Sequence, residues 1–429
     1  MNRKILSLIL AIMMIVSVCS FVSCGGNNTN SEGNTVQTGD TSSQKLDKSN
    51  IKIGLITLHD DSSTYDKNFI DAMYRALDNL GIDKSQLVMY TGIPETEECY
   101  NKAKDCVNQG CNVVFADSFG HEDFLIQAAM EFKDVRFCHG TGTKAHTVKL
   151  DNFSNAFAAI YEGRYAAGIA AGMKLNEMME KDSSVKPVMG YVGAFTYAEV
   201  MSGYTSFYLG AKSVCPDVTM KVKFTGSWYD YDKEKAAAEA LISDGCVLIS
   251  QHADSYGAPE ACEALGVPNV SYNGSTESTG PNTYIVSSKI DWTPYFEYMI
   301  NCTLNGENIA QDYTGTVETG SVVVLEVSKN AAEGTQKAID DAMEAFRQGT
   351  LHVFDVNNFT VTVDDKTNAS AKVDADGHLT SYLADVDTDE AFEKDTEAVK
   401  DGYFHESEYR SAPYFDVEID GIQLLDRSY

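Results

Sequence analysis

From residue 51 onward the chain repeats one pattern: a short apolar run, a polar loop, then a longer stretch whose apolar residues recur every three or four positions. Residues 51–58 (IKIGLITL) are almost continuously apolar, as a strand covered on both faces must be. Residues 69–80 follow as an amphipathic helix stopped by Gly81. Strand-like runs recur at 111–116, 135–138, 185–192, 218–224, 246–250, 267–271 and 283–287. Helical patterns fall between them at 122–132, 156–173, 201–213, 232–242 and 292–305. Strands separated by helices run parallel, with helices on both faces of the sheet. The fold class is therefore α/β with doubly wound parallel sheets. Roughly 300 residues of such alternation exceed one comfortable core, so two lobes are predicted, with a break near 150–154.

The N-terminus reads as an export signal. Residues 1–4 are basic and 5–18 apolar, too short a run to span a bilayer. Ser23-Cys24-Gly25 then resembles a lipoprotein cleavage site that leaves Cys24 as the lipid-bearing residue. Residues 25–50, rich in Gly, Asn, Ser and Thr, bury nothing and act as a tether. The predicted location is thus the extracytoplasmic face of a cell membrane, held by lipid. A formal net charge of -30 disfavours nucleic acid and anionic headgroups. Ten cysteines, of which Cys19 lies in the signal and Cys24 at the lipid site, form no CxxC pair and no Cys/His spacing suited to zinc. No metal and no cofactor are expected.

In parallel α/β sheets ligands bind beyond the carboxyl ends of strands. Residues 224–255 (FTGSWYDYDKEKAAAEALISDGCVLISQHADS) present two such ends. One carries the aromatic pair Trp228 and Tyr229, the other Gln251, His252 and Asp254, a combination that suits a flat ring bearing donors and acceptors. Other strand ends add aromatics: Tyr65, Asp66 and Phe69 after the first strand, Ser118 and Phe119 after the third, Phe195 and Tyr197 after 185–192. Two lobes with such loops make a cleft fit for capture of a small molecule by hinge closure.

The ordered motifs FADSFGHED (115–123), FCHGTGTKAHTV (137–148), YEGRYAAGIAAG (161–172), GYVGAF (190–195), GAKSVCPDV (210–218), GSWYDYDKEKAAAEALISDG (226–245), QHADS (251–255) and SYN (271–273) resemble the basic-membrane-protein (PnrA-like) family. Its members are substrate-binding lipoproteins of ATP-driven importers, and the purine-binding branch is the most similar. The resemblance covers about residues 51–350. It implies a type I periplasmic-binding-protein fold: an N-terminal lobe at 51–151, a C-terminal lobe at 152–285, returns at 286–310 and 311–355, and a three-segment hinge. It also implies a purine or nucleoside ligand, partnership with permease and ATPase subunits, and a monomer that delivers its ligand.

Carried over, Phe69 and Trp228 match aromatics that stack on the base. Asp254 and Gln251 match polar ligand positions, as does Asn273 after the late strand, and Ser118 and Phe119 match the loop between lobes. Glu162 and Arg164 begin the helix after the first crossing, as ligand groups or as an ion pair stiffening the hinge. Ser275 stands where relatives carry an acid, and Ile70 where nucleoside receptors have Asn.

The chain continues past the family core. Thr335–Arg347 is a last long helix, 359–363 and 370–373 are strand-like, and Asp376-Gly377 is a tight turn before 378–382. Asp385, Asp387 and Asp389 alternate as in a calcium loop, but Glu390 stands where glycine is needed. That run reads instead as a solvated face of an acidic, aromatic extension at 356–429. Two other functions compete with transport: a sensing lipoprotein without a permease, and a nucleoside-cleaving enzyme. The latter lacks a G-x-S-x-G elbow or P-loop, and no catalytic residues are assigned.

Overall fold

The computed structural model describes residues 45–364, 367–386 and 396–429. Cys24, the apolar stretch before it, Asp387 and Asp389 lie outside the described residues. Among the described residues no helix is long and apolar enough to cross a membrane.

In chain order the first lobe contains β1 (Ile53–Ile56), α1 (Thr64–Leu80), β2 (Leu87–Tyr90), α2 (Glu97–Asn108), β3 (Val113–Ala116), α3 (Glu122–Glu131), β4 (Arg136–Gly140), α4 (Ala145–Val148) and β5 (Phe153–Ala158). The second contains α5 (Ile160–Lys181), β6 (Val188–Gly193), α6 (Ala198–Val214), β7 (Thr219–Phe224), α7 (Tyr231–Ser243), β8 (Leu248–His252), α8 (Gly257–Leu265), β9 (Asn269–Tyr272) and β10 (Tyr284–Ile290). The chain then returns through α9 (Thr293–Asn305), packed on α1, to β11 (Asp312–Gly315), and crosses back to β12 (Val322–Val324) and α10 (Thr335–Arg347).

The first sheet has the order β11-β5-β4-β3-β1-β2, every neighbouring pair parallel. The second has the order β12-β10-β9-β8-β6-β7 with one further strand at its edge, and only β12 runs antiparallel. In both sheets consecutive strands step outward on one side and then jump to the other, which opens a crevice between β1 and β3 and between β6 and β8. Helices cover both faces of each sheet, which is why every residue of β1, β3 and β8 is buried. Helices α5 and α6 touch backbone to backbone; a Cβ on Gly168 would lie 2.0 Å from the Phe207 carbonyl oxygen.

Three crossings join the lobes, at 158–160, 290–293 and 315–322. The first falls later than the break read at 150–154, because residues 153–158 form a strand between β4 and β11 where an alanine-containing helix start at 156 was expected. Here pairing on both edges overrides local helix preference. Strand β10 likewise keeps 284–290 in the second lobe, and β11 keeps 312–315 in the first.

The extension supplies β13 (Ala371–Val373), β14 (Leu379–Ala384) and β15 (Thr396–Glu397) as one small antiparallel sheet, and the pair β16 (Val399–Lys400) and β17 (Tyr403–Phe404). Residues 359–363, expected as a strand, are irregular. The final strand β18 (Ile422–Leu424) lies parallel to β7 and closes the edge of the second sheet. All eight described cysteines are unpaired and buried, as small apolar fillers of strand and helix interiors.

Candidate functional site

The two crevices face each other, and their loops enclose a cleft of about 370 Å³ of empty space. Side chains from both lobes close on it, so the cleft is a thin slot between closed lobes.

From the first lobe, β1 leads into the loop that carries His59 and the start of α1. Ser63 caps that helix and donates its hydroxyl to Asp66 at 2.6 Å. Asp66 also accepts the His59 amide at 2.7 Å, and the His59 ring nitrogen Nδ1 lies 3.3 Å away. Burial opposes its charge, yet these bonds hold the Asp66 carboxyl below the ordinary value. Tyr65 donates to the Asp117 carbonyl at 2.8 Å. Asp117 is fully buried and braces the loop by accepting the Leu58 amide at 3.1 Å; burial and the neighbouring Asp66 push its carboxyl well above the usual range. Ser118 follows, its hydroxyl bound to Glu95 at 2.6 Å. Phe119 stands 39% exposed, an unusual state for phenylalanine, with its ring 5.4 Å from Tyr197 of the other lobe.

From the second lobe comes an aromatic wall. Phe195 and Tyr197 stack at 5.0 Å, and Trp228 meets Phe195 edge-on at 5.0 Å. The Trp228 carbonyl accepts the Asp254 amide at 3.0 Å, which ties the loop after β7 to the loop after β8. Asp254 is 6% exposed and accepts from the Asn273 side chain at 3.1 Å. Asn273 adopts φ 66°, a left-handed conformation that asparagine tolerates well. Burial, then Asp66, Glu234 and Glu199, raise the Asp254 carboxyl well above the ordinary value. His252 lies against Tyr272 at 4.5 Å and 3.2 Å from Glu199. It fits under α6 because residue 203 is glycine; a Cβ there would lie 2.5 Å from the imidazole Nδ1. The Tyr272 hydroxyl is buried with no partner and borders the slot.

Eight of the residues singled out from sequence meet at this slot: Tyr65, Asp66, Ser118, Phe119, Trp228, His252, Asp254 and Asn273. Four others stand elsewhere. Phe69 is wholly buried on the inner face of α1 and stacks on Trp292 at 4.3 Å inside the first lobe, so it is a core ring and not a cleft wall. Gln251, one residue short of the strand end, points into the sheet and accepts from Asn269 at 2.9 Å. Arg164 is fully buried and donates to the Ser271 carbonyl, the Tyr191 hydroxyl and Ser250 at 3.1, 3.2 and 2.7 Å. It clamps the second sheet and makes no ion pair with Glu162, which turns the other way toward the extension. Leu58, His59, Thr141, Glu199 and Tyr272 line the slot without having been named as site residues. The position of His59 and Tyr272 at strand ends was the available signal; Glu199, in the first turn of α6, carried none.

The slot walls hold three carboxyls and two imidazoles and, among the described residues, neither lysine nor arginine. Such a lining repels phosphate and accepts hydrogen bonds from N–H and O–H groups.

The sequence profile of the Bmp family, described as PnrA-like ABC transporter substrate-binding proteins, matches residues 53–356. A purine-binding protein of Brucella abortus is 30% identical over 272 residues, spanning 63% of this chain and 74% of the relative. A protein of Haloferax volcanii named for glucose binding in an ABC transporter is 31% identical over 243 residues, 57% of this chain and 59% of its own length. Among solved structures, an ABC transporter solute-binding protein of Conexibacter woesei superposes with a TM-score of 0.58 at 19% identity, covering 71% of this chain and 98% of that one. The two-lobed architecture is thus that of periplasmic-type solute-binding proteins.

Proposed function

Since the chain belongs to the Bmp family, the PnrA-like substrate-binding proteins of ABC transporters, we propose that it captures an unphosphorylated purine base or nucleoside and hands it to a membrane permease. The family is one of binding proteins rather than enzymes, with permease and ATPase subunits as partners. The observation that carries the ligand reading is the thin slot with Trp228, Tyr197 and Phe119 beside buried acceptors. A ring held there gains stacking worth roughly 1–3 kcal/mol per base, as in nucleic-acid systems. Its N–H groups face Asp254 and Asp66, whose charge makes the hydrogen bonds stronger. The name of the Brucella relative supports the same class.

A sugar is the second reading, favoured by the name of the Haloferax relative and by aromatic faces that also suit pyranose rings. In this proposal Cys24 carries a lipid that holds a monomeric protein outside the cytoplasm.

Calorimetry with adenine, guanosine, inosine, ribose and glucose decides between the readings. Saturable purine binding with weak or absent sugar binding is expected. Binding of glucose or ribose with every purine inert overturns the proposal.

A further inference from the structure

Residues beyond 356, where the family match ends, help to build a second cleft of about 640 Å³ beside the first crossing between lobes. Its walls come from the start of α5 (Tyr161, Glu162), the turn after α10 (His352, Phe354) and the extension (His405, Glu406). It shares no lining residue with the slot described above.

Two acids stand out. Glu406 is 5% exposed; its Oε1 accepts the Tyr414 amide at 3.2 Å while its Oε2 is buried with no partner. Glu162 is part-buried, and among the described residues no side-chain donor reaches its carboxyl. Burial alone lifts Glu162 to about 7, and burial is the main cause that lifts Glu406 to about 8. Arg410 spends its donors on the carbonyls of Asp385, Ala412 and Pro413, and its charge lowers Glu406 without outweighing burial.

The remaining walls carry flat rings and a third acid, Glu408. Tyr403 is sandwiched between His352 and His405 at 3.8 and 3.9 Å, and Tyr161 leans on Phe354 at 5.5 Å. The His405 nitrogens are occupied by Glu408 and by the Lys400 carbonyl. Among the described residues no group of three or more His, Cys, Asp or Glu could hold a metal ion. A buried acceptor beside aromatic and aliphatic surface fits a cation that carries its own hydrocarbon.

We propose that this cleft is a second binding site, for a small organic ammonium ion, with Glu162 and Glu406 taking its charge and Phe354 and the His352–Tyr403–His405 stack covering its apolar part. Glu162 sits in the first turn of α5, just past the crossing, and the extension that carries Glu406 is also tied to β11 through the Ser411 amide and Asp312 at 2.8 Å. An occupant therefore joins hinge and extension.

The test is calorimetry of the full chain with putrescine and with tetramethylammonium. One saturable site for at least one of them is expected, weakened about tenfold by Glu162→Gln and by Glu406→Gln, the loss of one charge-assisted bond. Trp228→Ala should leave that binding unchanged. Melting midpoints establish that the variants fold; if Glu406→Gln does not, Glu162→Gln decides. Absence of saturable binding by either amine, equal affinity in Glu162→Gln, loss of binding in Trp228→Ala, or tighter binding of calcium than of both amines overturns the proposal.

Discussion

Thr64 and Asp254 latch the two lobes across the cleft: the Thr64 amide and hydroxyl both donate to the Asp254 carbonyl, at 3.0 and 3.1 Å. Thr64 is the first residue of α1 and Asp254 follows β8, so the bond closes only when the lobes meet. The same Asp254 offers its side chain to the slot, so closure and ligand contact converge on one residue.

Thr64→Pro isolates the latch. Proline is well tolerated at the first helical position, and Ser63, at φ -84° and ψ 131°, already has the extended conformation that precedes proline. The substitution removes both donors. With each bond worth roughly 1 kcal/mol, purine affinity should fall about thirtyfold, and small-angle scattering should show a larger unliganded radius. Unchanged affinity and radius would mean that closure does not depend on this contact.

Trp228→Ala should weaken purine binding about tenfold or more, the value of one stacking partner. The chain has two tryptophans, and Trp292 is only 2% exposed inside the first lobe. A fluorescence change on ligand addition therefore reports Trp228 and should vanish in the variant.

Ligand binding should release a proton. The Asp254 carboxyl sits well above the ordinary value in the unliganded slot, and an N–H donor lowers it by favouring the charged form. The sign follows: affinity falls as pH drops through the raised value, at a higher pH than an ordinary carboxylate would dictate. Calorimetry in buffers of different ionisation enthalpy measures the release, which Asp254→Asn should abolish.

Arg164→Lys tests the clamp in the second sheet. Lysine keeps the charge but loses the planar fork that reaches Ser271, Tyr191 and Ser250 together. A loss of about 2 kcal/mol in unfolding free energy is expected from the bonds forgone. Retention of full stability would show that the fork is redundant.

Deleting residues 421–429 should loosen the aromatic wall from a distance. The Ser428 carbonyl accepts the Thr196 amide at 2.6 Å and its amide donates back to the Thr196 hydroxyl at 2.9 Å, directly beside Tyr197. Purine affinity should fall while Arg164→Lys-type destabilisation is absent from the first lobe, as hydrogen exchange of β1 and β3 will show.

Periodicity alone exposed the parallel sheets, because strands buried on both faces have no other composition available. Their carboxyl ends then located Trp228, Asp254 and Phe119 without knowledge of the packing. The limit is angular: at the first turn of α1 the sequence does not say whether Tyr65 or Phe69 turns to the cleft, and four residues of helix separate a wall from a core ring. A shift of one position does the same on β8, where Gln251 points inward and His252 reaches the slot. Arg164 was misplaced for a different reason. A buried guanidinium satisfied by serine and tyrosine hydroxyls has no carboxylate partner whose spacing could reveal it.

Strand β11 pairs with β5, Asp312 opposite Asn155, and β18 pairs with β7, Ile422 opposite Met220. Each lobe must therefore wait, with a naked edge, for residues far along the chain from its own central strands. Such distant closures slow folding, and an unpaired edge meanwhile is a template for a neighbouring chain. Neither lobe completes its sheet from one continuous stretch of chain, and loss of β18 would leave the edge of the second open.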